Sequence, residues 1–259
     1  MKFDELEKVM RGYETAHDDY VPVSKYMIAR IDGRGFTRLT KETCAFEAPF
    51  DIRFRDLMVE TCKHLMNCGF KVIYAYNQSD EISLLFDLNI NAFGRKLRKY
   101  NSLLAGEASA KFSLMLGQVA AFDCRICQLP TQNLVVDYFR WRNEDANRNA
   151  LNAHCYWQLR KEGKSQNETT SFIEGKSLAE KEALLQSRDI NFKALPLWQK
   201  RGTGLYMLEE EKIGFNPKEN REVVGTRKVL KTDYELPQGD AYSEFLWQLL
   251  KNDADTQGQ

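Results

Sequence analysis

The sequence predicts an α+β fold: a ferredoxin-like antiparallel sheet with helices on one face. Three observations carry this. Two short runs rich in β-branched and aromatic residues, 71–76 and 82–86, flank Asn77-Gln78-Ser79-Asp80, whose residue types favour a tight turn. Residues 50–68 and 91–116 repeat apolar side chains at helical spacing, one before this hairpin and one after it. Strand-like runs at 26–32 and 119–128 bracket the whole, giving the order strand, helix, strand, strand, helix, strand.

Taken in order, residues 2–13 space Phe3, Leu6, Val9 and Met10 as a helix. Val21-Pro22-Val23 leads into the first strand, which stops at Asp32. In the helix at 50–68, Phe54, Leu57, Met58, Leu65 and Met66 form the apolar stripe and Gly69 ends it. The helix at 91–116 carries Arg95, Arg98, Lys99 and Ser102 at i, i+3, i+4 and i+7, with Lys96 beside them. That face is either a solvated basic surface or a clamp for triphosphate or RNA backbone. Residues 131–161 read as helical and 162–176 as a polar loop. Ser177-Leu178-Ala179-Glu180 is a capping box that opens a helix to about Ser187. From Gly204, two strand-like runs flank the turn signal at 216–220, and 252–259 is expected to be a disordered tail. The expected organisation is a catalytic domain over 1–162 and an elaboration over 163–251 packed on it as one compact unit.

Composition excludes several classes. The chain is 43% hydrophobic and 29% charged, ordinary for a globular protein with a real core. Lys plus Arg equal Asp plus Glu at 37 each, so any RNA site must be a local basic patch. No apolar run reaches membrane-spanning length, and the charged start, Met1-Lys2-Phe3-Asp4-Glu5-Leu6-Glu7, has no secretory character. A cytoplasmic protein without a membrane partner is expected. Six cysteines in such a chain suggest thiols, and Cys124-Arg125-Ile126-Cys127 has no second pair to complete a zinc site.

The chemistry concentrates in two stretches. Asp80 and Glu81 stand together at the hairpin tip, and neighbours on an extended chain point to opposite sides, so the two carboxylates should serve different roles. In Arg30-Ile31-Asp32-Gly33-Arg34-Gly35-Phe36, Asp32 sits where the strand stops, and Gly33 and Gly35 let the backbone turn close to a ligand. Gly-x-Gly alone is a weak signal, lacking a third glycine or a Gly-Lys-Ser/Thr. A carboxylate before a backbone open to phosphates is nonetheless what phosphoryl transfer needs, because it can hold Mg²⁺.

Together, the Arg-x-Asp-Gly-Arg-x-Phe stretch and Gln78-Ser79-Asp80-Glu81 resemble the tRNA-His guanylyltransferase superfamily, including its bacterial and archaeal guanylyltransferase-like reverse polymerases. The resemblance continues through Phe122-Asp123-Cys124-Arg125, Tyr138-Phe139-Arg140-Trp141-Arg142, Leu195-Pro196 and Lys200-Arg201-Gly202-Thr203. It implies the polymerase and cyclase palm, and addition of nucleotides to the 5′ end of tRNA. It implies catalytic Asp32, Asp80 and Glu81 and two Mg²⁺ bridged by Asp32 and Asp80, with the Gly33 carbonyl as a further ligand and Glu81 and Ser79 assisting at one metal or bonding a triphosphate. The loop Asp32, Gly33, Arg34, Gly35, Phe36 and Thr37, with Ser79 and Asp80, would seat GTP or another nucleoside triphosphate. ATP would activate a 5′-monophosphate. Arg95, Lys96, Arg98 and Lys99, with Lys200 and Arg201, would contact phosphate or RNA, and a homotetramer is implied.

Two departures are informative. Eukaryotic members carry His-Ile-Asn-Asn-Leu-Tyr-Asn-Thr where this chain has residues 147–154, of which only Asn149 and Leu151 match. Ala48 stands where those members place a lysine near the activation site. Both favour the branch that repairs 5′-truncated tRNAs against the opposite strand and works on 5′-triphosphate ends; alternatively, Lys41 supplies the missing amine. The rivals are a nucleotidyl cyclase on the same palm, whose hairpin normally reads Gly-Gly-Asp/Glu-Glu-Phe, and a catalytically silent RNA-binding module, against which the intact carboxylates argue.

Overall fold

The computed structural model describes residues 2–216 and 220–256. The predicted βαββαβ order is present: β1 (Tyr26–Gly33), α3 (Ile52–Leu65), β2 (Val72–Gln78), β3 (Glu81–Phe86), α4 (Leu97–Leu116) and β4 (Phe122–Leu129). An N-terminal helix, α1 (Phe3–Glu14), and a short helix, α2 (Phe36–Arg38), precede α3. Their strands lie in the order β4-β1-β3-β2, each antiparallel to its neighbours. Two long C-terminal strands, β5 (Thr203–Asn216) and β6 (Arg221–Asp233), extend the same sheet beyond β2. Part of the turn signal between them, residues 217–219, lies outside the described residues.

Helices cover both faces of the sheet, which corrects the one-face expectation. On one face Met27, Ala29 and Ile31 of β1 and Ile82, Leu84 and Phe86 of β3 meet Met58, Cys62 and Leu65 of α3 and Tyr100, Leu104 and Phe112 of α4. On the other, Ile28, Tyr74, Tyr76 and Leu85 meet two further helices, α5 (Gln132–Lys161) and α9 (Asp240–Thr256), through Val135, Phe139, Tyr242 and Leu246. Burial on both faces explains why 82–86 reads as a nearly unbroken apolar run. The second half of α5 leaves the sheet. It packs Leu151, Cys155 and Leu159 against α6 (Gln166–Ile173) and α7 (Leu178–Gln186), with α8 (Leu197–Arg201) alongside.

Three further expectations change. Residues 91–116 are not one helix: positive φ at Phe93, Gly94 and Arg95 breaks the chain, and α4 starts only at Leu97. The polar stretch at 162–176 contains α6, opened by a Ser165–Glu168 capping box like the one recognised at Ser177. Residues 252–256, expected in a disordered tail, continue α9, while 257–259 lie outside the described residues. The two cysteines of the CxxC face opposite sides of β4, Cys124 toward the α3/α4 core and Cys127 toward α5, so they share no ligand. No helix among the described residues is long and apolar enough to cross a membrane.

Candidate active site

The site forms where β1 ends and the β2–β3 hairpin turns. Asp32 lies opposite Glu81 in the β1–β3 register, and the Gly33 amide donates to the Asp80 carbonyl at 3.2 Å. Asp80 is therefore in the turn, beside the strand end that carries Asp32. Ser79 holds the turn at a positive φ of 53°.

After Asp32 the chain reverses so sharply that the Phe36 ring folds back over Gly33. A Cβ on Gly33 would lie 2.5 Å from that ring, so no larger residue fits without moving it. Gly35 adopts the left-handed conformation at φ 73°, and Phe36 is buried among Phe54, Phe112 and Phe122. This aromatic anchor fixes the loop, leaving Arg34 and Thr37 exposed.

Strand register sets the charges on the α5 face in two rows. Asp123, Asp32 and Glu81 stand opposite one another on β4, β1 and β3; two residues along stand Arg125, Arg30 and Ser83. Carboxylates directly opposite each other repel. The arginine row offsets this unevenly. Arg30 and Arg142, the latter from α5, both donate to Glu81. Asp32 receives only longer contacts, 3.8 Å from Arg30 and 3.6 Å from Arg125. Burial, then the Glu81 charge, raises the pKa of Asp32 above its ordinary value. Burial, with the Asp32 charge adding, pushes Asp80 up to about 6.

Asp80 lies between two cavities. The larger, about 600 Å³, is lined by Thr37, Lys41, Ser79 and Asp80, by the cations Arg55 and Arg160, and by aromatic walls including Phe50, Trp157 and Trp198. Lys41 sits 5.1 Å over the Trp157 ring. The smaller, about 260 Å³, lies between the hairpin tip and α5, lined by Asp80, Glu81, Arg142, Asn149 and Ala153. The segment 147–154 thus faces the hairpin tip, with His154 turned inward against Phe50 and Phe192 and bonded to Gln199 at 3.1 Å.

The donor set suits a hard divalent cation: two carboxylates at the end of a strand, backbone oxygens at a glycine turn, and no thiol or imidazole among them. Both carboxylates are destabilised as anions, which a bound cation would relieve. Among the described residues no three acidic, histidine or cysteine side chains converge on one point. Each oxygen of Glu81 already accepts from an arginine, one from Arg30 and the other from Arg142.

The basic residues divide. Arg95 is not on α4. It is 2% exposed and donates to the carbonyls of Val21, Lys25, Leu88 and Ile90, so it is structural. Lys96 and Arg98 both pair with Asp18. This cluster lies where β1 begins, six residues and roughly 20 Å from Asp32. Lys200 is 5% exposed and bonds the carbonyls of Phe192 and Lys193, so it does not present its charge as the sequence reading expected, while half-buried Arg201 bonds the carbonyl of Leu236 through one nitrogen. Lys99 makes no ion pair among the described residues. The cations at the larger cavity, Lys41, Arg55 and Arg160, have no shared motif. Arg142 and Asp123 lie within stretches that already carried the resemblance.

The family model described as tRNAHis guanylyltransferase matches residues 7–130, and that of the Thg1 C-terminal domain matches 133–236. A probable tRNA(His) guanylyltransferase of Drosophila melanogaster is 30% identical over 196 residues, covering 72% of this chain and 68% of that protein. The match to tRNA(His) guanylyltransferase 1 of Arabidopsis thaliana, 28% identical, covers 75% of this chain but only 36% of that longer protein. Among solved structures, a bacterial tRNA(His) guanylyltransferase (Thg1)-like protein in complex with ATP superimposes with a TM-score of 0.73 at 29% identity, covering 94% of this chain and 97% of the other. One in complex with GTP gives 0.70 at 28% identity, covering 95% and 98%. These matches give the nucleotidyl cyclase reading no support. With both halves of the chain matched, this protein belongs to the tRNA(His) guanylyltransferase family.

Proposed function

We propose that this protein is a metal-dependent nucleotidyltransferase on a polymerase-type palm, adding nucleotides to the 5′ end of tRNA in the 3′-to-5′ direction. The observation that carries this is Asp80, in the turn beside the strand end that carries Asp32, at the edge of a cavity that combines aromatic walls with three cations. The cavity suits a nucleoside triphosphate: rings for the base, and Lys41, Arg55 and Arg160 for the phosphates. Solved relatives of this family in complex with GTP and with ATP support that assignment.

Asp32, Asp80 and the Gly33 backbone would hold Mg²⁺. When bound, Mg²⁺ supplies charge neutralisation and in-line alignment of attacking and leaving oxygens. The chain's own groups do the rest. The turn anchored by Phe36 fixes the Asp32 carboxylate, Ser79 and Thr37 offer hydroxyls beside Asp80, and the cavity cations hold the triphosphate. The attacking group is the 3′-hydroxyl of the incoming nucleotide, and the activated group is the 5′ phosphate of the RNA.

For substrate choice, the loss of the eukaryotic pattern at 147–154 favours 5′-truncated tRNAs of several types, with the nucleotide chosen by pairing to the opposite strand. Ala48 argues against efficient ATP activation. Lys41, lining the larger cavity, supports a second reading in which the missing amine is replaced and monophosphorylated ends are also used. A cytoplasmic homotetramer completes the proposal. The test is incubation with Mg²⁺, labelled GTP and tRNAs lacking the first nucleotide, with mono- and triphosphate ends. Label joined to the 5′ end opposite cytosine supports the reading. Strong preference for full-length monophosphorylated tRNA-His, whatever the opposing base, would replace it with a eukaryote-like guanylyltransferase.

A further inference from the structure

Glu81 looks, by its position next to Asp80, like a third acid of the metal site. Its contacts say otherwise. One carboxylate oxygen accepts from Arg30 and the other from Arg142. Each oxygen keeps a further lone pair, but a cation bound there would sit against a guanidinium. Arg30 is held from one side only: its buried Nε has no hydrogen-bond partner, and the nitrogen bonded to Glu81 is already 3.8 Å from an Asp32 oxygen. Arg30 and Asp32 share a face of β1, and Glu81 lies directly opposite Asp32. If Glu81 releases the guanidinium, the nearest remaining anion is Asp32. Arg125, the other cation near Asp32, is 61% exposed at its side chain, so solvent screens its pull. Arg30 is mostly shielded, and its pull is not screened in that way.

We propose that Glu81 is a positioning residue that holds Arg30 off Asp32 and so keeps the Asp32 carboxylate available for a divalent cation. This rests on the assignment of Asp32 and Asp80 as the metal pair. Three binding states of the site follow. With Glu81 present, Arg30 is neutralised and Asp32 is open. With Glu81 removed, Arg30 closes on Asp32 and competes with the metal. With both removed, Asp32 is open again.

The test is direct Mn²⁺ binding to the tRNA-free protein, followed by electron paramagnetic resonance of the free ion. Wild type, Glu81→Gln, the double variant Arg30→Gln/Glu81→Gln, and Asp80→Ala are compared, each checked by circular dichroism. Glu81→Gln is expected to weaken Mn²⁺ binding about ten-fold, the strength of a partly shielded ion pair. The double variant is expected to bind within about two-fold of wild type, since neither charge remains to compete. If Glu81 were itself a ligand, the double variant would bind as poorly as the single one, and the proposal would be overturned. Wild-type affinity in Glu81→Gln would overturn it as well. Should Glu81→Gln fail to fold, the double variant decides alone. Failure of the underlying assignment has a separate signature: wild type and Asp80→Ala would bind Mn²⁺ equally.

Discussion

Two charge clusters sit at opposite ends of β1, and they are built in contrary ways. At the start of the strand, Arg95 gives its guanidinium to four backbone carbonyls, and Asp18 is bracketed by Lys96 and Arg98. Hydrogen bonds from Arg98 and Lys96 lower the Asp18 pKa to about 2. Arg95 and Asp18, the groups that hold that end together, both have their partners. At the far end, Asp32 and Asp80 are part-buried beside other carboxylates, and both pKa values rise. Glu81 alone is matched, and it absorbs two arginines. A fold gains nothing from anions left short of partners, so the unmatched end is where a ligand is expected and the matched end is where structure is.

The strongest way to break this comparison is to remove the unmatched acids. Asp32→Ala and Asp80→Ala should each cut nucleotide addition at least about a thousand-fold, the scale of losing a main electrostatic contact to the transition state. Far-UV circular dichroism should stay that of wild type. Turnover near wild type in Mg²⁺ for either variant would remove the metal pair from the mechanism.

At the matched end the loss should fall on stability instead. Arg95→Ala strands four carbonyls of the segments before β1 and after β3. Allowing for water to reach some of them, the cost should be about 3 kcal/mol in urea unfolding. Addition per folded molecule should be unchanged. A variant as stable as wild type but unable to add nucleotide would move Arg95 from structure to function.

A third test uses pH. The folded pKa of Asp80 is raised to about 6 from an ordinary 3.8, so the folded state holds that proton more tightly than the unfolded chain. Below pH 4 the group is protonated in both states and costs nothing. Between about pH 4 and pH 6 the unfolded chain ionises this group while the folded protein keeps it protonated, so stability falls across that window by about 3 kcal/mol and stays lower above it. Without divalent cations, Asp80→Asn should therefore be more stable than wild type at pH 8 and equal to it near pH 4. Equal stability at pH 8, by thermal unfolding in a chelator, would mean that Asp80 carries no such penalty.

Much of this was legible from residues alone, for identifiable reasons. The hairpin tip and Asp32 declare themselves through local chemistry, namely turn residues, a strand end and glycines. Register then brings Asp32 to Glu81 by the antiparallel pairing that the element order demands. The second helical layer was hinted at by the unalternating 82–86 run and by α9 itself, where Tyr242, Phe245, Leu246, Leu249 and Leu250 recur at helical spacing, a pattern left unread beside the polar tail. The break before α4 turned on backbone conformation. Phe93 and Arg95 take positive φ against their own preference, because Arg95 reaches four carbonyls by doing so. Spacing on a helical wheel carries no information about such a break, and with it the shared face of Arg95, Arg98 and Lys99 disappears. The cavity cations Lys41, Arg55 and Arg160 were hidden for another reason: they come from three separate segments, and only tertiary folding brings them together.

The smallest effect concerns what is left of that basic face. Arg98 is held by Asp18, while Lys99 follows it on α4 without an ion pair among the described residues. Both lie roughly 20 Å from the carboxylates, too far to touch a phosphate held there, but within reach of the backbone of a tRNA lying across the sheet edge. If Lys99 makes one such contact, Lys99→Ala should weaken tRNA binding and reduce the slope of log affinity against log salt by about one. Arg98→Ala should change it less, because its charge is already offset by Asp18, which keeps Lys96 as its partner. GTP binding should be untouched in both, since the nucleotide cavity takes its cations from elsewhere. Filter-binding titrations of one tRNA at several salt concentrations resolve a slope change of that size. An unaltered slope for Lys99→Ala would leave α4 as a solvated face, and the RNA would have to be held by the cations around the larger cavity alone.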